Sequence, residues 1–117
     1  MRLSVCVETL FRDEPFLDRL RRVAELGFPG FEFWRQDDKD LEAIARLRDE
    51  LNLTWVGMVG TSLPLTDPQL NDAVVSELEK SIAAAKDVGC LSLIVTSGRE
   101  NEQLDRDAQH DNIVEIL

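Results

Sequence analysis

The chain has 117 residues, 44% of them hydrophobic and 31% charged, and its 23 acidic against 13 basic side chains give a formal net charge of −10. This is enough apolar material for a packed core, and the sign of the charge opposes electrostatic binding to nucleic acid or to an anionic membrane. No run approaches the roughly 18 apolar residues of a membrane helix, and Met1-Arg2 leads into a strand-like segment without a signal-peptide core, so a cytoplasmic protein is expected.

Residues 3–7 (LSVCV) form a short β-branched apolar run, and Pro15 stands where the first turn of a helix accepts it. Phe16, Leu17, Leu20, Val23 and Ala24 then recur at helical spacing, with Asp18, Arg19, Arg21, Arg22 and Glu25 on the other face and Gly27 as the stop. Residues 30–34 (GFEFW) read as a second strand. Leu41, Ile44, Ala45, Arg48 and Leu51 trace the inner face of a second helix that Asn52 ends. Residues 53–59 (LTWVGMV) make a third strand, after which Asp67 and Pro68 suit the N-cap and first helical position of a third helix. Leu70, Val74, Leu78, Ile82 and Ala85 carry that helix to Gly89. Residues 91–96 (LSLIVT) form a continuous apolar run of the kind a parallel sheet buries on both faces. A last amphipathic stretch, 107–117, places Ile113, Val114 and Leu117 on its apolar side and stops within the helix.

Strands that alternate with helices argue for parallel βα units joined by right-handed crossovers. Helix-to-strand connections are minimal, whereas the strand-to-helix loops 8–14, 35–39, 60–66 and 97–106 are long. In parallel α/β folds the loops after strand C-termini carry the chemistry, so the site is expected on that face. Cys6 and Cys90, each in apolar sequence and far from any Cys/His cluster, read as reduced core residues.

Four such units fit either an open doubly wound sheet or half of a closed eightfold barrel. The open nucleotide-binding fold wants a glycine-rich turn after strand one, but the residues there are Glu8-Thr9-Leu10-Phe11-Arg12-Asp13-Glu14. A closed barrel needs about 250 residues, so residues 1–117 read as half of a single barrel domain, truncated in the fourth helix.

The opening LSVCVETLF, the segment PFLDRLRRVAELGFPGFEFW and the later TSGREN followed by a helix opening with Gln109-His110 resemble the N-terminal half of the hydroxypyruvate isomerase family. That family lies within the xylose-isomerase-like TIM barrels, which include ketose 3-epimerases and inosose dehydratases. The resemblance implies a (β/α)₈ barrel with one divalent cation, Mg²⁺ or Mn²⁺, and two glutamates that move a proton between adjacent carbons of a small hydroxycarbonyl substrate through an enediolate. It implies the interconversion of hydroxypyruvate and tartronate semialdehyde, with a ketose 3-epimerase or another sugar isomerase as the alternative. It places those glutamates and the metal ligands on strands five to eight, so no catalytic or metal residue is assigned here.

A substrate-facing wall remains, and Phe11, Glu32, Trp34 and Arg99 are its candidates. Glu32 alternates with Phe31 and Phe33, so it faces the barrel mouth or serves as a structural hydrogen-bonded acid. Phe11 and Trp34 stand on the expected active face, where they either keep water from the substrate or cover the rim. Arg99, after strand four, could pair with a substrate carboxylate or answer Glu100 or Glu102. Glu8 is similarly placed at the end of strand one. Trp55, Met58 and Phe28 read as packing, and His110 as an exposed helical residue. Many relatives carry a histidine near the end of strand three; Gly57-Met58-Val59-Gly60-Thr61-Ser62 stands there instead, leaving Thr61 or Ser62 to supply a hydroxyl. A different class of reading is a non-catalytic half-barrel whose open strand edges pair with another copy, giving a homo-oligomer.

Overall fold

Four strands, β1 (Ser4–Cys6), β2 (Gly30–Glu32), β3 (Thr54–Val59) and β4 (Leu93–Ile94), alternate with α1 (Phe16–Glu25), α2 (Leu41–Glu50), α3 (Asn71–Val88) and α4 (Arg106–Ile116) in the computed structural model, which describes residues 2–117. Every neighbouring pair is parallel and the strand order is β1-β2-β3-β4. A doubly wound sheet reverses its order at a switch point, and this one does not. Sequential order with right-handed crossovers puts the helices on one face and leaves the other to close, so the fold is an α/β half-barrel.

The short helix-to-strand connections have a common physical origin. Gly27 donates to the Ala24 carbonyl at 2.9 Å and Phe28 to Val23 at 3.1 Å; Asn52 donates to Asp49 at 3.2 Å and Leu53 to Arg48 at 2.9 Å; Gly89 donates to Lys86 at 3.3 Å and Cys90 to Ala85 at 2.9 Å. All three are Schellman turns, with Gly27, Asn52 and Gly89 in the left-handed region. The residue after each, Phe28, Leu53 or Cys90, packs into or against the core and starts the next strand inward. Arg48 of α2 adds a second closure by donating to the Val88 carbonyl at the end of α3, where a cation also suits the helix dipole.

The core lies between the sheet and the first helices. Phe31, Phe33, Trp55, Leu20, Val23, Ile44 and Met58 are essentially fully buried. The Phe33 ring is 5.0 Å from Trp55 and meets Phe16 edge-on at 5.2 Å, within the range of favourable aromatic pairs. Trp55 and Met58, three residues apart, share this core because the register shifts: Phe31 pairs with Trp55 but Glu32 pairs with Gly57, leaving Val56 as the extra residue of a bulge.

Several expected boundaries move. The regular strands are shorter than the apolar runs, although pairing continues past β2, where Val59 donates to the Trp34 carbonyl at 3.1 Å. Asp67 does cap, accepting from the Gln69 amide at 3.0 Å, but it caps a 3₁₀ turn (Pro68–Leu70) and α3 begins at Asn71. Such turns commonly precede a helix. Asp105 caps the last helix by accepting from Ala108 at 2.8 Å, so α4 begins at Arg106, one residue before the amphipathic stretch.

The largest correction concerns which side of α4 is buried. Of the three expected apolar-side residues Ile113 is partly buried, while Val114 and Leu117 stay 64% and 73% exposed, and the fully buried residues of α4 are Gln109 and Asn112. Gln109 donates to the carbonyls of Asn101 (3.1 Å) and Leu104 (2.9 Å) and accepts from the Asn101 amide. Asn112 donates to the Leu65 carbonyl at 2.8 Å and exchanges two amide hydrogen bonds with Asn71 at 2.9 and 3.0 Å. The helix meets loop backbone and another amide, so its docking side is polar.

The two cysteines are free and half-buried. Cys90 packs on the core, and partial burial pushes its thiol above the ordinary range; Cys6 lies outside the core cluster. Among the described residues no helix is long and apolar enough to cross a membrane. The radius of gyration, 16.3 Å, exceeds the roughly 13 Å of a compact domain of this length, as expected for a sheet with one face and two edges open.

Candidate functional site

The long loops gather at the C-terminal ends of the strands, and charged side chains fix the first two of them. Arg19 reaches back from α1 to donate to the carbonyls of Val7 (3.0 Å), Arg12 (3.1 Å) and Glu14 (2.9 Å). The loop it holds contains Phe11 with φ +58, a left-handed conformation unusual for a bulky residue, and the ring packs half-buried against the core.

Lys39, in the loop after β2, closes the same corner. Its ammonium lies 2.9 Å from Glu8 and 2.8 Å from Asp38, and 5.1 and 5.4 Å from the ring centroids of Phe16 and Phe33, with only 10% of the side chain exposed. Glu8 Oε1 is buried, and this ammonium is its partner. The hydrogen bond from Lys39 is the main reason the Asp38 carboxyl sits below its usual range. Sequence reasoning singled out Glu8 but missed Lys39. The available signal was a lone lysine in an acidic stretch directly after strand two, opposite an acid at the end of strand one.

Beyond this corner a cleft of about 450 Å³ opens between the loop after β2, the end of β3 and α3. Trp34, 47% exposed, lines it together with Gln36, Ser62, Glu77 and Lys80. Its polar floor is already hydrogen-bonded: Gln36 donates to the Ser81 hydroxyl at 2.6 Å, Ser81 donates to the Gly60 carbonyl at 2.6 Å, and Thr61 donates to Glu77 at 2.6 Å. Thr61 is therefore occupied structurally, whereas Ser62 is exposed on the wall. At the rim Arg35 donates to Asp37 at 2.8 Å, and that bond holds the carboxyl low and the guanidinium high.

Arg99 belongs to a second cleft, of about 360 Å³, between the loops after β3 and β4. Thr66 donates to the Arg99 carbonyl, while the guanidinium is exposed. Gly98 requires its missing side chain here: φ is +85, and a Cβ would lie 2.5 Å from Pro64 Cα. Glu32, half-buried in β2, sits between two fully buried phenylalanines and opposite Gly57, and its carboxylate has no hydrogen-bond or ion-pair partner among the described residues. The four sequence candidates thus share the strand-end half of the fold but no single cleft, and neither cleft is lined by Phe11 or Glu32. His110 is exposed on α4.

The family model described as "Xylose isomerase-like TIM barrel" matches residues 20–117. The chain belongs to this family. A solved structure, "Crystal structure of AP endonuclease, family 2 from Brucella melitensis", is 28% identical with a TM-score of 0.88 and covers 99% of this chain. The match spans 48% of that protein, so this chain is about half its length. No curated protein matches the chain. Membership agrees with the half-barrel geometry and with the resemblance at the level of the family, while neither comparison names hydroxypyruvate.

The family-like chemistry of a divalent cation can be tested against the residues present. Among the described residues no group of three or more His, Cys, Asp or Glu side chains is arranged to hold a metal. Glu8 is committed to Lys39, which leaves Glu32 as a lone carboxylate on the open face. These residues do not form a cation site by themselves, and no chemical step through a metal follows from them. They can bind, orient and exclude water.

Proposed function

We propose that these four βα units form the substrate-binding wall of an isomerase acting on a small hydroxycarbonyl compound, with hydroxypyruvate the first substrate to test and ketoses the second class. The observation that carries the reading is the cleft beside Trp34. A half-exposed indole next to Gln36, Ser62 and Lys80 suits a compound with C–H faces and hydroxyl or carbonyl oxygens. Glu32 would accept a hydrogen bond from a substrate hydroxyl, Arg99 would pair with a carboxylate, and Phe11 would keep the mouth dry. A C–H next to a carbonyl is weakly acidic, and its removal needs a positioned base and charge stabilisation. In this reading those groups, and the ligands of a Mg²⁺ or Mn²⁺ ion, come from outside these four units.

The likeness to a protein named as an AP endonuclease favours a second reading, action on DNA. The charge favours the first. A DNA-binding face needs several unpaired basic groups for the phosphates, yet Lys39 is paired with Glu8 and Asp38 and Arg35 with Asp37, which leaves only Lys80 and Arg99 lining the two clefts of a chain that carries −10 overall. Tryptophan fluorescence separates the two, because Trp55 is buried and Trp34 reports on the cleft. Hydroxypyruvate or a ketose should change the emission, and Trp34→Phe should abolish the change. A response only to a duplex containing an abasic site would overturn the proposal.

A further inference from the structure

We infer that Lys39 is a positioning residue for the cleft beside Trp34: its ion pair with Glu8 fastens the loop after β2, and with it the wall formed by Trp34 and Gln36, to the first loop. The inference rests on that cleft being the binding site proposed above. The Lys39 ammonium is nearly buried, 2.9 Å from a Glu8 carboxylate that is itself only 20% exposed, and it lies over the Phe16 and Phe33 rings. Taking two charges out of water offsets most of their attraction, so stability is a poor account of such a pair and the geometry it imposes is a better one.

One partner of the pair is already fixed. Arg19 clamps the carbonyls of Val7, Arg12 and Glu14, so Glu8 stands on a held segment. The loop after β2 has no such clamp, because its exposed Arg35 and Asp37 pair with each other rather than with the rest of the fold. Beyond Trp34, whose carbonyl still accepts from Val59, this loop is fixed at two points. Lys39 reaches Glu8 on one side; on the other, Gln36 donates to Ser81 of α3, which donates to the Gly60 carbonyl. The Lys39 amide donates to the Gln36 carbonyl at 3.2 Å, so a tight turn joins the two points. Trp34 and Gln36 are thereby set relative to Glu77 and Lys80 of α3, which line the same cleft. Each of these contacts is made within the first three βα units.

Lys39→Met and the double variant Glu8→Gln with Lys39→Met test this, read by acrylamide quenching of Trp34 without ligand and by titration with hydroxypyruvate and with fructose. Trp55 is fully buried, so the quenchable emission belongs to Trp34, and Trp34→Phe identifies it. The single variant leaves the Glu8 carboxylate without its cation and should lower the urea midpoint, whereas the double variant removes both charges and should restore much of it. The ion pair is absent from both. In both, therefore, quenching of Trp34 should rise, and affinity for whichever compound the wild type binds should fall by about tenfold, the order of effect that a small misplacement of binding groups produces. Arg46→Met, which breaks an exposed pair with Glu42, should change neither readout. Recovery of quenching and affinity together with stability in the double variant would overturn the inference, since Lys39 would then act on stability alone; so would wild-type quenching in the single variant. If the wild-type chain binds neither compound, the reading of the cleft fails, while the quenching comparison still decides whether Lys39 holds its wall.

Discussion

The first three strands and the last βα unit are held by different forces. β1 to β3 pack Phe31, Phe33, Trp55 and Met58 against Leu20, Val23, Ile44 and Leu47, each worth roughly 1.5–3 kcal/mol when fully buried. The last unit has a two-residue strand, and a helix whose buried side chains are Gln109 and Asn112. Hydrogen bonds exchanged with water contribute only about 1 kcal/mol each, but they fix orientation. One region therefore supplies stability, and the other is positioned by it. Directional bonds hold α4 in place, while Val114 and Leu117 stay exposed.

The difference is broken most severely at the aromatic core. Trp55→Ala should destabilise the whole chain by about 3–5 kcal/mol in urea unfolding, with every probe moving together. Asn112→Ala should have a smaller and local effect, about 1–3 kcal/mol, because it strands the Leu65 carbonyl and the Asn71 amide. Its signature is faster amide exchange in α4 with β1 to β3 unchanged. Asp40→Ala removes the side chain that accepts from the Ala43 amide at 2.9 Å and should cost about 1 kcal/mol, this time spread over the core region that α2 belongs to.

The smallest effect is at Cys90. Partial burial raises its thiol, so the folded chain holds that proton to higher pH than the unfolded chain does. Any stability linked to this group is present below the ordinary thiol range and is lost as the pH rises through the raised value. Alkylation of Cys90 should accordingly need a higher pH in the folded protein than in urea, and identical pH profiles would contradict the assignment.

Sequence and structure agree best where local rules decide. Gly27, Asn52 and Gly89 marked helix ends because a left-handed residue followed by an apolar one is a local requirement of the turn. The order of strands and helices followed from the same periodicity. The bulge at Val56 was not legible, since alternation alone would put Trp55 and Met58 on opposite faces. The polar docking of α4 escaped for a related reason: an apolar stripe identifies a side that seeks burial, whereas Gln109 and Asn112 are buried by hydrogen bonds to loop carbonyls and to Asn71, which periodicity does not register. Trp34 and Arg99 do lie at the C-terminal ends of the strands, where their places in the sequence put them, but their separation into two clefts depends on how α3 and the loops pack. Lys39 needed knowledge that Phe16, Phe33 and Glu8 meet in space.

Native-state hydrogen exchange, residue by residue and at low protein concentration, tests the two-region account most directly. The account predicts that the amides of Phe33, Met58 and their neighbours in β1 to β3 exchange only through global unfolding, while those of α4 exchange through a separate opening of lower free energy. A single opening free energy shared by β3 and α4 would contradict it.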